Sequence, residues 1–300
     1  MTQSTSPSLL ASLSNDISRV ASLASASTVR VHARRGPAAS GVVWRAGLIV
    51  TADEAIETAD NMHVTLADGT RVAATLAGRD ATTDLALLRC DAATTPIASH
   101  AGPATLGQMA VVMGQGRHGG QAALAMISAV SGPWQSMRGG KIEHYIGLDM
   151  RFERHLEGAA LLDADGALMG MVAAGPRQSS LAIPAVTIER VAAQLLARGH
   201  IARGYLGLGL QPVHIEPVPG STDKRHGIMV VSVDDRGPGR TAGVLQGDIL
   251  VAWNGEPVGH MRDMMRKLGS DAVGTSVDLA LQRAGQPASA RLTIGERPTT

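Results

Sequence analysis

From residue 28 to about residue 184 the chain reads as short apolar runs separated by Gly, Asp and Asn, and the dominant period is two. TVRVHAR, SGVVWRAGLIVT, MHVTLADGTRVAATLAG, TDLALLRC, MAVVMGQG and ALAMISAVSG are the clearest of these runs. Successive side chains of an extended chain point to opposite faces, so each run predicts a strand with one face turned to a core. A long series of them joined by tight turns predicts antiparallel sheet closed into barrels, which leaves no strand edge exposed. The spacing becomes helical from Ile183 to Arg198, with Val186, Val191, Leu195 and Leu196 expected on one side and Gly199 as the stop. An Ala/Leu pattern from Leu9 to Leu23 predicts a further short helix, packed on a barrel or against another subunit. The segment GHIARG puts a domain boundary near residue 202.

Composition narrows this picture. A chain of 300 residues with 44% hydrophobic and 18% charged content is globular and long enough for two or three compact units. Its six aromatics (three Trp, two Tyr, one Phe) require cores of Val, Leu, Ile, Ala and Met. A net charge of +1 gives no reason to expect a nucleic-acid or membrane partner. Cys90 is the only cysteine, so no intrachain disulfide forms, and its place at the end of DLALLRC makes it a small buried hydrophobe. The first 27 residues lack a basic start and a sustained apolar core, and no stretch approaches the roughly 20 apolar residues of a membrane span. A cytoplasmic protein without a cofactor is the expectation.

Residues 47 to 91, GLIVTADEAIETADNMHVTLADGTRVAATLAGRDATTDLALLRCD, resemble the block of HtrA/Deg-type trypsin-like serine proteases in which Thr-x-x-His precedes Thr-Asp-Leu-Ala. LDMRFERHLEGAALLDADGALMGMVAAG, residues 148 to 175, is similar to their Gly-x-Ser-Gly-Gly-x-Leu block, anchored on Asp149, Ala160-Leu161, Asp165-Gly166 and Gly170. HGIMVVSVDDRGPGRTAGVLQGDILVAWNGEPV, residues 226 to 258, is similar to a PDZ domain. The resemblance spans about residues 28 to 297. It implies a mainly β protein: an N-terminal helical or flexible segment (1–27), a double six-stranded antiparallel β-barrel (28–202) and an α+β PDZ domain (203–297).

The same alignment carries the chemistry. The family histidine falls on Glu54, the aspartate on Asp84, the nucleophilic serine on Glu157, and the glycine two residues earlier on His155. Of nucleophile, base and orienting carboxylate, only the carboxylate remains. Removing nucleophile or base from a related triad costs on the order of a millionfold in turnover. His155 also replaces a glycine whose freedom to take positive φ shapes the oxyanion loop, and the donors expected there are the amides of 155 and 157. No Gly-x-Ser-x-Gly elbow offers a substitute nucleophile; His155 could approach Asp84, and Ser179-Ser180 fall in the loop before the last barrel strand.

Three carboxylates in one cleft require compensation. Arg151, Arg154 or solvent supplies it on one reading; on another, Glu54, Asp84 and Glu157, with His155 nearby, hold a divalent cation, although no spacing here matches a dedicated metal loop. In the PDZ half, Tyr205-Leu206-Gly207-Leu208 stand where relatives place the carboxylate loop and the open strand edge. The helix HMRDMMRKLGSD offers Met261, Met264, Met265 and Leu268 to the groove or to the core, with Met261 and Met265 taken as the groove contacts. The chain is therefore read as a catalytically silent pseudoprotease binding peptide or protein C-termini, or unfolded segments. The alternative is an active serine endopeptidase with a displaced or induced triad. A homo-oligomer, or a mixed oligomer with active relatives, would use the same surfaces.

Overall fold

The computed structural model describes residues 8–33, 37–98, 102–215 and 225–298. It divides into two units, residues 1–201 and 202–300. Residues 1–7 of the expected N-terminal segment and Arg34 at the end of the first predicted strand lie outside the described residues.

The first unit holds two closed antiparallel barrels of six strands each. In the first, β1 (Thr28–His32), β2 (Ala39–Arg45), β3 (Leu48–Thr51), β4 (His63–Thr65), β5 (Arg71–Asp80) and β6 (Leu85–Cys90) run in the order β1-β2-β3-β6-β5-β4, and β1 closes on β4. The second comprises β7 (Met109–Gly116), β8 (Gly119–Ser131), β11 (Tyr145–Arg151), β12 (Ala160–Leu162), β13 (Leu168–Ala174) and β14 (Ser179–Pro184). A two-stranded ribbon, β9 (Trp134–Gln135) with β10 (Lys141–Ile142), leaves the second barrel between β8 and β11.

Alternation decides which core each residue enters. Val43 and Ile49 fill the first barrel with Val29, Val31 and Leu88, and Val112, Ile127 and Val172 fill the second. Their neighbours Val42, Trp44 and Val50 point the other way, into a core shared with Val111, Leu162 and Leu168. Strand β2 is thus buried on both faces, which is why SGVVW reads as an unbroken run. Helix α1 (Leu9–Ser25), capped by the Ser8 side chain on the Ala11 amide, buries Val20 and Ala24 in that core and packs Ile17 and Ala21 against it; Leu9 is 92% exposed.

Helix α2 (Ala185–Arg198) packs Ile188, Val191, Ala192 and Leu195 on the same core and ends at Gly199, whose φ of 75° lets its amide reach Leu195 O at 2.8 Å. The expected apolar side was misphased at one position: Val186 is 50% exposed, because the buried arc starts from Ala185 and Ile188. Ser179 and Ser180 are likewise not loop residues but the first two of β14.

The second unit is one sheet, β16 (Leu208–Ile215), β17 (Arg225–Val233), β18 (Ile249–Trp253), β20 (Ser276–Arg283) and β21 (Gln286–Thr293), with β19 (Glu256–Pro257) beside β18. Strand β15 (Gly204–Tyr205) pairs with β22 (Gly295–Glu296). Helices α3 (Pro238–Thr241) and α4 (Met261–Lys267) complete it. Ile228, Val230, Leu250, Trp253, Met264 and Leu279 form its core. Buried Asp248 holds the turn before β18, accepting from Leu245 N at 2.9 Å and from both prongs of Arg283 at 2.7 and 2.8 Å.

Candidate functional site

Strand β3 ends at Thr51, and a 3₁₀ turn, Asp53–Ala55, carries Glu54 outward. Across from it, the turn between β5 and β6 is set by buried Asp80, which accepts from Thr82 N, Thr82 Oγ1 and Thr83 Oγ1 at 3.1, 2.6 and 2.7 Å. That turn leaves Asp84 in the left-handed region with φ 56°, a conformation Asp tolerates better than most side chains. Asp84 Oδ1 accepts the Glu54 amide at 3.0 Å. Withdrawal from water is the main cause that pushes the Asp84 carboxyl up to about 7; the Glu54 amide works against this, and the charges of Glu54, Glu157 and Asp53 add to it.

The Glu54 carboxylate pairs with Arg138, accepting from its Nη2 at 2.8 Å. Arg138 lies in the β9–β10 turn, also bonds Ala81 O at 3.3 Å, and is held there by Ser136 Oγ, which donates to Thr82 O at 2.5 Å. Gly140 is required in this turn because a Cβ there would run into the Thr82 carbonyl. The cation that compensates Glu54 is therefore Arg138, which neither of the sequence-based candidates, Arg151 and Arg154, anticipated.

The second half of the cleft is a 3₁₀ turn, Arg154–Leu156, followed by Glu157 in an extended conformation and Gly158 at φ 80°. Ser40 of β2 pins it with two hydrogen bonds and is itself anchored to β7 by a third. Its amide donates to Glu157 O at 2.8 Å, its Oγ donates to His155 O at 2.9 Å, and the same Oγ accepts Gln115 N at 3.0 Å. Here the loop departs from expectation: the positive φ sits at Gly158, and His155 fits a 3₁₀ turn without strain. The His155 ring faces Glu153 Oε2 at 3.4 Å and is not among the groups whose charge acts on Asp84. Glu157 is buried, 4% exposed, with its charge felt at Asp84.

Neither Ser40 nor Ser180 is placed to act as a nucleophile. Ser40 Oγ is committed to the loop, and Ser180 Oγ is buried with no hydrogen-bond partner and so no base to take its proton. Among the described residues no three His, Cys, Asp or Glu side chains assemble a metal-holding group, so the Glu54, Asp84, Glu157 cation site does not form. The Glu54 carboxylate is paired with Arg138 instead.

In the second unit, β16 is an edge strand, bonded to β17 on one side only. Leu206 is buried; its carbonyl accepts from Gly239 N at 2.7 Å, and that of Gly207 accepts from Asp234 N at 2.8 Å. In a trans peptide the N–H points opposite its carbonyl, so the amides of Gly207 and Leu208 face away from residues 234 to 239. Gly207, at φ 71°, lies so close to Gly237 that a Cβ would fall 2.6 Å from its Cα. Tyr205 Oη donates to Asp234 Oδ2 at 2.8 Å and braces the same turn. Leu208 and Leu210 of the edge, with Met261 and Leu268, lie half-buried against the core; Met264 is fully buried and Met265 is exposed.

Residues 39–171 match the family model of the trypsin-like peptidase domain, and residues 204–294 that of the PDZ domain. Curated relatives named "Probable periplasmic serine endoprotease DegP-like" are 29% identical over 281 residues in Brucella suis biovar 1 (strain 1330), covering 89% of this chain and 54% of that protein. The relative of the same name in Chlamydia trachomatis serovar D is 28% identical over 268 residues, covering 86% and 54%. The chain thus spans about half the length of these relatives. Among solved structures, the serine endoprotease from Yersinia pestis matches with TM-score 0.72 and 25% identity over 98% of this chain and 100% of that one. "HtrA-type protease AlgW with decapeptide" matches in fold with TM-score 0.73 and 22% identity, over 95% and 99%.

Proposed function

We propose that this chain, a homologue of HtrA/DegP-type trypsin-like peptidases ending in a PDZ domain, binds polypeptide C-termini or unfolded segments without cleaving them. One observation carries the reading. Glu54, which the resemblance aligns with the base, is paired with Arg138, while Glu157 is aligned with the nucleophile, and the charges acting on Asp84 are those of carboxylates. A carboxylate paired with a guanidinium is a poor acceptor for a hydroxyl proton, and neither Ser40 nor Ser180 has a base to activate it.

Binding falls to the second unit. The unpaired edge of β16 offers backbone groups to an added strand, and the outward amides of Gly207 and Leu208 suit a terminal carboxylate. Leu208, Leu210 and Met261 would receive an apolar last residue. The HtrA-type protease AlgW, similar in fold, was solved with a decapeptide, a ligand of the class proposed here. The relatives are named periplasmic, against the cytoplasmic expectation, and fractionation of the source cell separates the two.

The full chain should neither turn over casein nor take up a fluorophosphonate probe, whereas a labelled apolar peptide should bind with a free C-terminus and lose most of its affinity when amidated. Labelling of any serine revives the endopeptidase reading. Equal affinity for the amidated peptide removes the carboxylate site.

A further inference from the structure

On the outer side of the first barrel, strands β1, β4 and β5 lie side by side with Arg30 opposite Thr65, His32 opposite His63, and Thr65 opposite Arg71. Residues two apart on a strand share a face, so Arg30, His32, His63, Thr65 and Arg71 project together while Val29, Val31 and Val64 fill the barrel. The two imidazoles stack with centroids 4.5 Å apart and planes 11° from parallel. Arg30 Nε donates to His32 Nε2 at 3.1 Å, and Arg71 Nη2 meets His63 Nδ1 at 3.1 Å. Thr65 Oγ1 lies 3.0 Å from His32 Nε2, and Asn61 O lies 3.3 Å from His63 Nδ1.

The ionisable side chains named here, Arg30, His32, His63 and Arg71, are all basic. The charges acting on His32 are those of His63, Arg30 and Arg71, and with burial as the first cause they hold its ring down to about 4. Among the described residues neither Arg30 nor Arg71 forms an ion pair with a carboxylate. Arg30 has a structural duty, since its Nη1 also bonds Gly116 O and Arg117 O at 3.2 and 3.1 Å. Arg71 is exposed, and the His63 ring is its one bonded partner among the described residues.

We propose that this face is a binding site for a small tetrahedral dianion of the phosphate or sulfate type, gripped by Arg71 and Arg30 over the stacked imidazoles. Guanidinium N–H groups match such oxyanions in geometry and charge. In the anion-free state Arg30 Nε donates to His32 Nε2, so that nitrogen carries no proton: a protonated one would set donor against donor. An oxyanion removes that conflict, because guanidinium and imidazolium can both donate to it. Anion binding therefore takes up protons, and the site tightens as the solution becomes more acidic.

Sulfate is the appropriate probe, since its charge stays fixed across the pH range in which phosphates titrate. The full chain is titrated with sodium sulfate at constant ionic strength held with sodium chloride, following histidine ring resonances and the melting temperature. Sulfate should shift the His32 and His63 resonances and raise the melting point, with affinity rising about tenfold from about pH 7.5 to about pH 5.5. Arg71→Gln should weaken sulfate about tenfold or more, and Arg291→Gln, in the other unit, should leave it unchanged. Arg71→Lys, which keeps the charge but not the fork, should fall between. Vesicles carrying phosphatidic acid, at matched phosphate, should shift these resonances no more than the soluble ion does. Absence of a response beyond that of chloride, or an undiminished response in Arg71→Gln, overturns the proposal.

Discussion

A carboxyl group withdrawn from water and facing other carboxylates keeps its proton to higher pH than it would in the unfolded chain. Asp84 is in that position, with its carboxyl pushed from 3.8 up to about 7. Because the folded form binds the proton more tightly, the stability this group contributes is complete below pH 4 and is lost as pH rises through about 7. Asp84→Asn keeps the acceptor for the Glu54 amide and tolerates φ 56°, but cannot ionise. It should stabilise the fold at pH 8 by up to ~4 kcal/mol, the limit set by three pKa units, and be neutral near pH 4. Urea unfolding at the two pH values checks this; equal effects at both would show that Asp84 is ionised throughout. The three acidic positions were legible in the sequence because they sit in motif frames. Arg138 was not, since its link to Glu54 spans 84 residues and exists only because the β9–β10 ribbon folds onto the β5–β6 turn.

Elements built on alternation were legible, and those built on long-range pinning were not. The runs MAVVMGQG and TDLALLRC became β7 and β6 because alternate side chains had two cores to enter. The 154–158 loop takes its shape from Ser40, more than a hundred residues earlier, so the motif frame, in which the loop's flexible glycine is replaced by His155, did not show that the positive φ belongs to Gly158. Val186 was misphased, and the methionines of α4 stayed ambiguous, for a related reason: helical spacing gives a periodicity, and the neighbouring sheet decides which arc is buried. Gly158 tests the pinning directly. An added Cβ would be driven into the Ser40 carbonyl and close to Thr51 Oγ1 at a φ that L-residues resist. Gly158→Ala should cost about 2 kcal/mol or more, and Glu157→Gln, in the same loop but free of backbone strain, much less. Paired denaturation curves that place the two variants together would show that the loop yields without cost.

At the scale of the whole molecule, two titrations in the first unit oppose each other. The folded ring of His32 is held down to about 4 against an ordinary 6.5, so its stability is present above pH 6.5 and lost as pH falls toward 4. Asp84 acts in the reverse sense from about 4 to about 7. Between pH 4 and 6.5 the two slopes therefore offset, and the first unit should show a nearly level stability curve that falls only as Asp84 finishes ionising. Asp84→Asn removes one arm and should uncover a rise in stability with pH across that window, attributable to His32 and its neighbours Arg30, His63 and Arg71. A chain of two units rarely unfolds in one step, so the observation must come from the first unit alone. Of the three tryptophans, Trp44 and Trp134 lie in that unit and Trp253 in the other. In a Trp253→Phe background, tryptophan fluorescence reports the barrels by themselves. If the Asp84→Asn and Asp84 forms of that background traced parallel curves from pH 4 to 7, the opposed pair would not exist, and the cleft carboxyl would have to be ionised like any surface aspartate.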